Sequence, residues 1–156
     1  MQPALKIVSG GQTGVDRAAL DAALELGIPC GGWCPAGRRA EDGPIDSRYP
    51  LTETKTSDYL ERTRLNVKDS DASLIIYFDK VEGGTKKTRA ICEQLGKPFL
   101  LLDMSSLDEE HASSMLHQFI QENNVSSLNV AGPRASKQAQ AHSVTQSLIS
   151  SLLEKN

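Results

Sequence analysis

The sequence predicts an α/β fold in which a mostly parallel sheet of about five or more strands is covered by helices on both faces. Three observations support this prediction. Short apolar runs and helical patterns alternate about five times along the chain. The runs are continuously apolar, as in strands that are buried on both faces, rather than half polar. Glycine-rich turns follow several of the runs, where strands of such sheets lead into helices.

The first part of the chain contains two strand-like runs, one helix and a long irregular segment. Residues 5–8 predict a short buried strand, and small apolar residues recur at helical spacing from Val15 to Leu26. Gly27 is the expected left-handed end of that helix. A weak strand is predicted over 29–34. Residues 35–57 are rich in proline, glycine and charge and show no period, so they form either a solvated surface loop or a functional one.

The second part repeats the alternation of helix and strand. Ser57 or Asp58 can cap a helix through 60–67, and Gly96 ends a helix that follows the turn at 83–85. Ser106 and Glu109 have the spacing of a capping box ahead of an amphipathic helix. The remaining predicted elements are strands at 72–78, 99–102 and 128–131 and a final helix over 141–152.

Length and composition narrow the possible functions. The 156 residues carry a net charge of −3, and 4% of them are aromatic. This length fits one domain, expected over 1–156. The acidic excess and the scarcity of aromatic side chains argue against nucleic acid as a partner. We expect no membrane partner and a cytoplasmic location, because no apolar run reaches about 18 residues and the amino terminus lacks a signal-peptide pattern.

The cysteine pattern predicts neither a disulfide nor a metal site. There are three cysteines, Cys30, Cys34 and Cys92, without the spacing of metal ligands. Cys30 and Cys34 would lie roughly 13 Å apart in an extended segment, which is too far for a disulfide. We therefore expect reduced thiols and no ligated metal.

Three strand-to-helix turns form the candidate site. They are residues 10–14, 83–88 and 132–134, and ligands of open α/β sheets bind at the carboxyl ends of the strands. Glycines allow close backbone approach, and free N–H groups at a helix start attract an anion. Pro133 suits a first helical turn, and Arg134 can hold a phosphate or carboxylate. One such turn is often a simple connection, whereas three at one sheet edge favour a phosphate site.

Nearby charged residues have two interpretations each. Lys86, Lys87 and Arg89 would oppose the dipole of their helix unless an anion binds there, or they point into water. Asp16 and Glu41 are candidate catalytic acids or bases, although Asp16 is also explained as ordinary compensation of a helix dipole. The phosphate loop and the dinucleotide fingerprint are both incomplete, which disfavours an NAD enzyme.

Several short blocks together resemble one protein family. They are GGQTGVDRAALD at 10–21, GGWCP at 31–35, GRRAEDG at 37–43, NV with DSD at 66–71, GGT with Thr88 at 83–88, and LNVAGPR at 128–134. These blocks are similar to the molybdenum carrier family, the circularly permuted YpsA-like branch of the SLOG superfamily. That superfamily also contains the LOG "lysine decarboxylase-like" proteins. The resemblance covers nearly the whole chain.

The resemblance implies a Rossmann-like three-layer sandwich that binds a nucleotide or another phosphorylated, nucleotide-like ligand, in a homo-oligomer (dimer or tetramer). Some relatives are described as carriers of the molybdenum cofactor, a phosphorylated pterin. Residues 35–57 would close over the base or pterin. The expected ligand contacts are Gly10, Gly11, Gln12, Thr13, Gly14, Arg17, Arg38, Arg39, Gly83, Gly84, Thr85, Lys86, Thr88, Gly132, Pro133 and Arg134.

One difference between this sequence and the LOG enzymes bears on whether the protein is a carrier or an enzyme. LOG enzymes cleave the base from nucleoside monophosphates and carry P-G-G-x-G-T-x-x-E, in which the glutamate serves the hydrolysis. Here Thr88 stands at the position of that glutamate, and no proline precedes the glycines. This favours a carrier or binding protein. The alternatives are an N-glycosidic hydrolase that uses Asp16 or Glu41 instead, and a purely structural interaction domain.

Overall fold

A computed structural model describes residues 5–155 of the chain. Residues 1–4 and 156, which the expected domain includes, lie outside the described part. Within it the strands are β1 (Lys6–Val8), β2 (Cys30–Gly31), β3 (Trp33–Cys34), β4 (Thr52–Glu53), β5 (Ala72–Tyr77), β6 (Phe99–Asp103) and β7 (Ser127–Ala131). The helices are α1 (Val15–Glu25), α2 (Tyr59–Lys68), α3 (Gly83–Leu95), α4 (Glu109–Glu122) and α5 (Ala141–Lys155).

The main sheet has the order β2-β1-β7-β5-β6, and every neighbouring pair of its strands is parallel. The predicted α/β fold with a mostly parallel sheet is thereby confirmed. The last strand, β7, lies between β1 and β5, with Ile7 opposite Leu128 and Leu74 opposite Val130. The carboxyl ends of β1, β7 and β5 are therefore neighbours at the centre of one sheet edge.

The central strand β5 shows why the apolar runs are continuous. Its side chains at 74–76 are fully buried. Leu74 and Ile76 pack on the side of α1, α4 and α5. Ile75 points the other way and packs against residues of α2 and α3, including Val67 and Ile91. Both faces of the strand are covered, so neither set of alternating positions can be polar.

Helix α1 lies close to the sheet and to α5 because its inward face is made of alanines. Ala18, Ala19, Ala22 and Ala23 are completely buried. Residue Gly27 follows the helix with a φ of 67°, in the left-handed conformation predicted for it. Small side chains and a sharp end let the chain return directly into β2.

The interpretation of 29–34 as one strand is wrong. Gly32 breaks it into β2 of the main sheet and β3, which pairs with β4 in a separate parallel two-stranded sheet. Gly32 has a φ of 137°, and a Cβ there would lie 2.3 Å from the carbonyl oxygen of Ser9. The chain can bend this closely around β1 only with glycine.

Residues 35–57 contain a packed apolar cluster, although their sequence shows no period. Ala40, Ile45 and Tyr49 are buried with Leu20 of α1 in a small apolar cluster. The guanidinium of Arg38 donates hydrogen bonds to four backbone carbonyls of the same segment, at 2.7–3.3 Å. Arg38 therefore supports the loop from inside.

Two helix starts differ from the prediction. Helix α4 is capped by Asp108, whose carboxylate accepts a hydrogen bond from the backbone N–H of His111 at 2.8 Å, and not by Ser106. The final helix begins at Ala141, so Pro133 lies in a loop rather than in a first helical turn. The cap at Asp58 and the end of α3 at Gly96 are confirmed, and Cys30, Cys34 and Cys92 are not paired with one another. Among the described residues, no helix is long and apolar enough to cross a membrane.

Replacing Arg38 with Met is expected to lower the free energy of unfolding by about 2–4 kcal/mol, because it removes a charged donor from four carbonyls at once. Urea denaturation measures this change. Arg64→Met removes an exposed arginine from α2 and serves as the control, with an expected change below about 0.5 kcal/mol. Equal stability of the two variants would show that the Arg38 bonds do not support the loop.

Candidate functional site

A cavity of about 730 Å³ lies where the carboxyl ends of β1, β7 and β5 meet α2 and the start of α3. Residues from all three predicted glycine turns line it. The expectation that these turns converge at one edge of the sheet is thus met by the geometry. The predicted residues that line the cavity are Gly10, Gln12, Asp16, Gly83, Gly84, Thr85, Thr88, Gly132, Pro133 and Arg134.

The amino terminus of α3 opens into this cavity. The helix begins at Gly83 itself, whose φ is 57°, and the Glu82 side chain does not cap it. The first turn contains no acidic residue. The first amide bonded within this turn is that of Lys86, which donates to the carbonyl of Glu82 at 3.3 Å. A Cβ at Gly83 or Gly84 would meet nothing within 4 Å. Among the described residues the amides of 83–85 have no hydrogen-bond acceptor, so they are unused donors at the positive end of a helix dipole.

The corresponding turn before α1 is closed, although its sequence looks similar. The backbone N–H of Val15 donates to the carbonyl of Pro133 at 3.2 Å, and that of Arg17 to the carbonyl of Gln12 at 2.9 Å. A Cβ at Gly14 would lie 2.4 Å from the carbonyl oxygen of Pro133. Gly14 packs against the 133–135 segment, and the backbone N–H groups of Gly11 and Thr13 are bonded as well, to side chains of Ser9 and Gln12.

A buried ion pair lies beside the closed turn. Arg62 of α2 crosses Gly10, donates to its carbonyl at 3.2 Å, and places Nη1 3.6 Å from Oδ2 of Asp16. Both side chains are about nine-tenths buried. Burial raises the pKa of Asp16 to about 6. The charge of Arg62, the backbone N–H of Gln12 and the charges of Arg134 and Arg17 act in the opposite direction and lower it. Asp16 is thus a carboxyl group that titrates near neutral pH.

Three guanidinium groups surround the ring of Tyr59. Those of Arg39, Arg62 and Arg134 lie 4.6, 5.2 and 5.3 Å from its centroid. Within residues 5–155, the Arg134 guanidinium forms neither a hydrogen bond nor an ion pair, and Arg134 lines the cavity. Arg62 and Arg134 line the same cavity as the open end of α3 and contribute positive charge to it.

Several predicted contacts do not reach the cavity. Arg17 pairs with Asp42 and donates to the carbonyl of Gly11. The Arg39 guanidinium lies over the Tyr59 ring without lining the cavity, and its Nη1 donates to the carbonyl of Ser57 at 3.1 Å. The predicted residues that the structure places outside the lining are Gly11, Thr13, Gly14, Arg17, Arg38, Arg39, Glu41 and Lys86.

Glu41 joins two loops instead of facing the cavity. Its carboxylate accepts hydrogen bonds from the Thr13 hydroxyl and from Ser136, whose Oγ lies at 2.6 Å and whose backbone N lies at 3.1 Å. Desolvation alone would raise the pKa of Glu41, but the bonds from Ser136 and Thr13 hold it below its usual value. The structure therefore gives Glu41 a role in fastening the 132–140 loop to the 35–57 segment, which does not fit a catalytic base.

Comparison with known proteins identifies the family. The family model of the circularly permutated YpsA SLOG family matches residues 7–153. The chain belongs to this family. It is also similar to a crystal structure at 1.45 Å of a "putative molybdenum carrier protein" from Syntrophus aciditrophicus SB. The two are 43% identical with a TM-score of 0.94 over 98% of this chain and 97% of that one. No curated protein matches the chain.

Residues of α2 line the cavity of this YpsA-family chain without having been predicted. They are Tyr59, Arg62, Thr63 and Asn66, and Lys80 and Asn129 join them from loop and strand. The α2 residues follow the spacing i, i+3, i+4, i+7, which places them on one helix face. This polar stripe was a usable signal, because a helix whose inward face is polar must cover something other than an apolar core.

The described residues contain no group of three or more His, Cys, Asp or Glu side chains that could hold a metal ion. What the cavity offers instead is a set of amide, guanidinium and ammonium donors with one buried carboxylate. Donors of this kind bind oxyanions rather than metal cations.

Replacing Asp16 with Asn is expected to change how stability depends on pH. The folded state holds the Asp16 proton up to about pH 6, whereas the unfolded chain releases it near 3.8, so the wild type loses stability as pH rises from 4 to 7. The gain of Asp16→Asn over wild type should therefore increase by roughly 2–3 kcal/mol over that range. Urea denaturation at several pH values measures it, with the exposed Glu154→Gln as control. A gain of the same size at pH 4 and pH 7 would contradict the assignment.

Proposed function

We propose that this chain is a binding protein or carrier for a phosphorylated, nucleotide-like ligand. The open amino terminus of α3 inside the cavity is the observation that carries the proposal. A phosphate there would accept hydrogen bonds from the amides of 83–85 and lie at the positive end of the helix dipole. The net charge of −3 does not oppose this, because the partners of a single phosphate are local.

The charges around the cavity fit such a ligand. Arg62, Arg134, Lys80, Lys87 and Lys137 line it, against the acidic side chains Asp16, Asp58 and Glu82. Five cations against three anions leave a positive balance in a chain that is acidic overall. Arg134, with its guanidinium unengaged by the described residues, is a cavity-lining side chain that can join the α3 amides on a phosphate.

The size of the cavity supports a ligand of nucleotide dimensions. Its volume of about 730 Å³ lies within the range of typical small-molecule sites, roughly 300–1,000 Å³. The similar structure is named a molybdenum carrier, and the family resemblance adds molybdenum cofactor, a phosphorylated pterin, as a candidate ligand. In this proposal the protein holds the pterin and its phosphate, and the molybdenum travels as cargo on the pterin rather than on protein ligands.

Gly84→Asp is the sharpest test of the phosphate position. The new carboxylate has room, because nothing lies within 4 Å of a Cβ at this residue, and an acidic residue in a first turn stabilises the helix. It would also repel a phosphate. We expect calorimetry to show GMP binding at least tenfold weaker than in wild type, on the order of the 1.4 kcal/mol that a tenfold change represents. Thermal stability should be unchanged or higher.

The matched control is Gly84→Asn, which has the same shape without the charge and should bind GMP within about threefold of wild type. Guanosine, which lacks the phosphate, should bind wild type at least tenfold more weakly than GMP. Arg134→Ala should weaken GMP binding with little loss of stability. Equal binding of GMP by Gly84→Asp and Gly84→Asn would show that the phosphate does not bind at the amino terminus of α3.

A second candidate function is hydrolysis of the N-glycosidic bond of a nucleoside monophosphate. Asp16 favours it, because a cavity-lining carboxyl with a pKa of about 6 can both accept and release a proton near neutral pH. The bond between the ribose carbon and the base nitrogen would break as water adds to that carbon, with Asp16 taking a proton from the water and then passing it on to the leaving base. Thr88 at the position of the LOG glutamate, and the placement of Glu41 outside the cavity, favour the carrier instead.

For this candidate, wild type should release free base from GMP or AMP, and Asp16→Asn should lower the rate by at least about 100-fold. Glu41→Gln, which lies outside the cavity, should retain base release. Chromatography of the reaction mixture measures it. The absence of free base at high protein concentration, together with tight binding of GMP, would leave the carrier as the function.

A further inference from the structure

The Arg62 guanidinium is held in place by the protein and still has an unused hydrogen-bond donor. Its side chain lines the cavity and is about nine-tenths buried. Nε and Nη1 donate to the carbonyls of Tyr59 and Gly10 at 3.3 and 3.2 Å. The third nitrogen, Nη2, has no acceptor among the described residues. Arg62 therefore offers a ligand a donor whose position is already fixed.

The neighbouring Asp16 carboxylate is an acceptor that is only partly used. Nη1 of Arg62 is 3.6 Å from Oδ2, beyond normal hydrogen-bond distance. Among the described side chains, none donates a hydrogen bond to the carboxylate. A carboxylate can accept about four such bonds, and the backbone N–H of Gln12 and the charge of Arg62 satisfy only part of this capacity.

The unused positions of this ion pair open into the cavity. In the described part of the chain, the side-chain atoms that are sealed from solvent without a hydrogen-bond partner belong to Gln12, Ser113, His117 and Thr145. Neither an oxygen of Asp16 nor Nη2 of Arg62 is one of these sealed atoms. Both residues line the cavity and are otherwise buried, so the surface that remains to them faces the cavity. A ligand there meets a carboxylate next to a guanidinium nitrogen.

A carboxylate next to a guanidinium fits a ligand group that offers O–H donors and oxygen acceptors on adjacent atoms, and the vicinal diol of ribose is such a group. Resting on the carrier function proposed above, we propose that Asp16 and Arg62 bind the sugar hydroxyls of a ribonucleotide. The Asp16 carboxylate accepts hydrogen bonds from the 2′- and 3′-hydroxyls, and Nη2 of Arg62 donates to the oxygen of one of them. A deoxyribonucleotide or a phosphorylated pterin without a sugar lacks this diol.

The distance from the phosphate position fits the sugar of a nucleotide. Arg62 pairs with Asp16 over Gly10, directly after β1, whereas the open end of α3 follows β5, and β7 lies between those strands. Adjacent strands are about 4.8 Å apart, so the two positions are about 10 Å apart along the sheet edge. A hydrogen bond of about 3 Å at each end leaves roughly 4 Å for the ligand. That matches the short separation of phosphate and sugar hydroxyls in a 5′-nucleotide rather than the longer one of phosphate and base.

Calorimetry with two pairs of nucleotides tests the inference on the wild-type protein. GMP and 2′-deoxy-GMP, like AMP and 2′-deoxy-AMP, differ in one hydroxyl only. A hydrogen bond to a buried charged group changes affinity by roughly 10- to 100-fold, so each deoxynucleotide should bind at least tenfold more weakly than its ribonucleotide. Measurement at about pH 8 keeps the Asp16 carboxylate ionised, because its pKa is about 6.

Variants of two cavity carboxylates identify the residue responsible. Asp16→Ala removes the acceptor and should reduce the preference for GMP over 2′-deoxy-GMP to less than about twofold, with the loss falling on GMP. Asp16→Asn keeps the shape of the side chain and serves if Asp16→Ala does not fold. Its neutral acceptor should lower the preference at least threefold. The control Asp58→Asn removes another carboxylate that lines the cavity and keeps the α2 cap, so the preference should be unchanged.

The possible outcomes separate this inference from the proposed function. Equal affinities for GMP and 2′-deoxy-GMP would overturn the sugar recognition and support a phosphate-binding carrier. A preference for GMP that persists in the Asp16 variants would also overturn it, because the hydroxyl would then bind elsewhere. Binding of a phosphorylated pterin without binding of any nucleotide would overturn it and keep the carrier function. If neither the nucleotides nor the pterin bind, both proposals fail.

Discussion

The position of β7 between β1 and β5 is the constraint on which the site depends. Its parallel pairing on both sides brings residues 132–134 against the turn that leads into α1. The close approach works only without side chains at two positions: a Cβ on Gly14 would lie 2.4 Å from the Pro133 carbonyl oxygen, and one on Gly132 would lie 2.7 Å from that of Ile76. These contacts hold three strand ends together and leave the cavity above them.

Whether a glycine turn can bind an anion depends on whether its amides are already bonded. Before α1, the N–H groups of Val15 and Arg17 bond to the carbonyls of Pro133 and Gln12, and that of Thr13 bonds to the Gln12 side chain. The turn that opens α3 has no capping side chain and no acidic residue. Two turns with similar glycine patterns therefore differ in function. One packs against a neighbouring segment, and the other leaves backbone N–H groups free to bind an anion, because an N–H group that is already bonded cannot bind a ligand.

Charged residues in this chain divide between support and site in a way that their residue type does not reveal. Arg38 and Glu41 lie in the segment that was expected to cover a ligand, yet both bond to the protein itself. Arg62, by contrast, lies outside the sequence blocks that resemble the family and pairs with Asp16 in the cavity. A buried charge is costly unless it is paired. In this chain, which has few aromatic residues, such pairs also help to define how helices and loops pack together.

The sequence by itself determined the alternation of buried strands and helices, most element boundaries, and the three glycine turns at one sheet edge. Hydrophobic period, helix ends and parallel-strand geometry are local properties, so they can be predicted from neighbouring residues. The tertiary structure decided which turn keeps its amides open, that Arg62 crosses Gly10 from 52 residues away, and that Glu41 bonds to Ser136 across 95 residues. It also decided the break at Gly32 and the cap at Asp108. Contacts between distant residues depend on the whole packing arrangement, which no local pattern encodes.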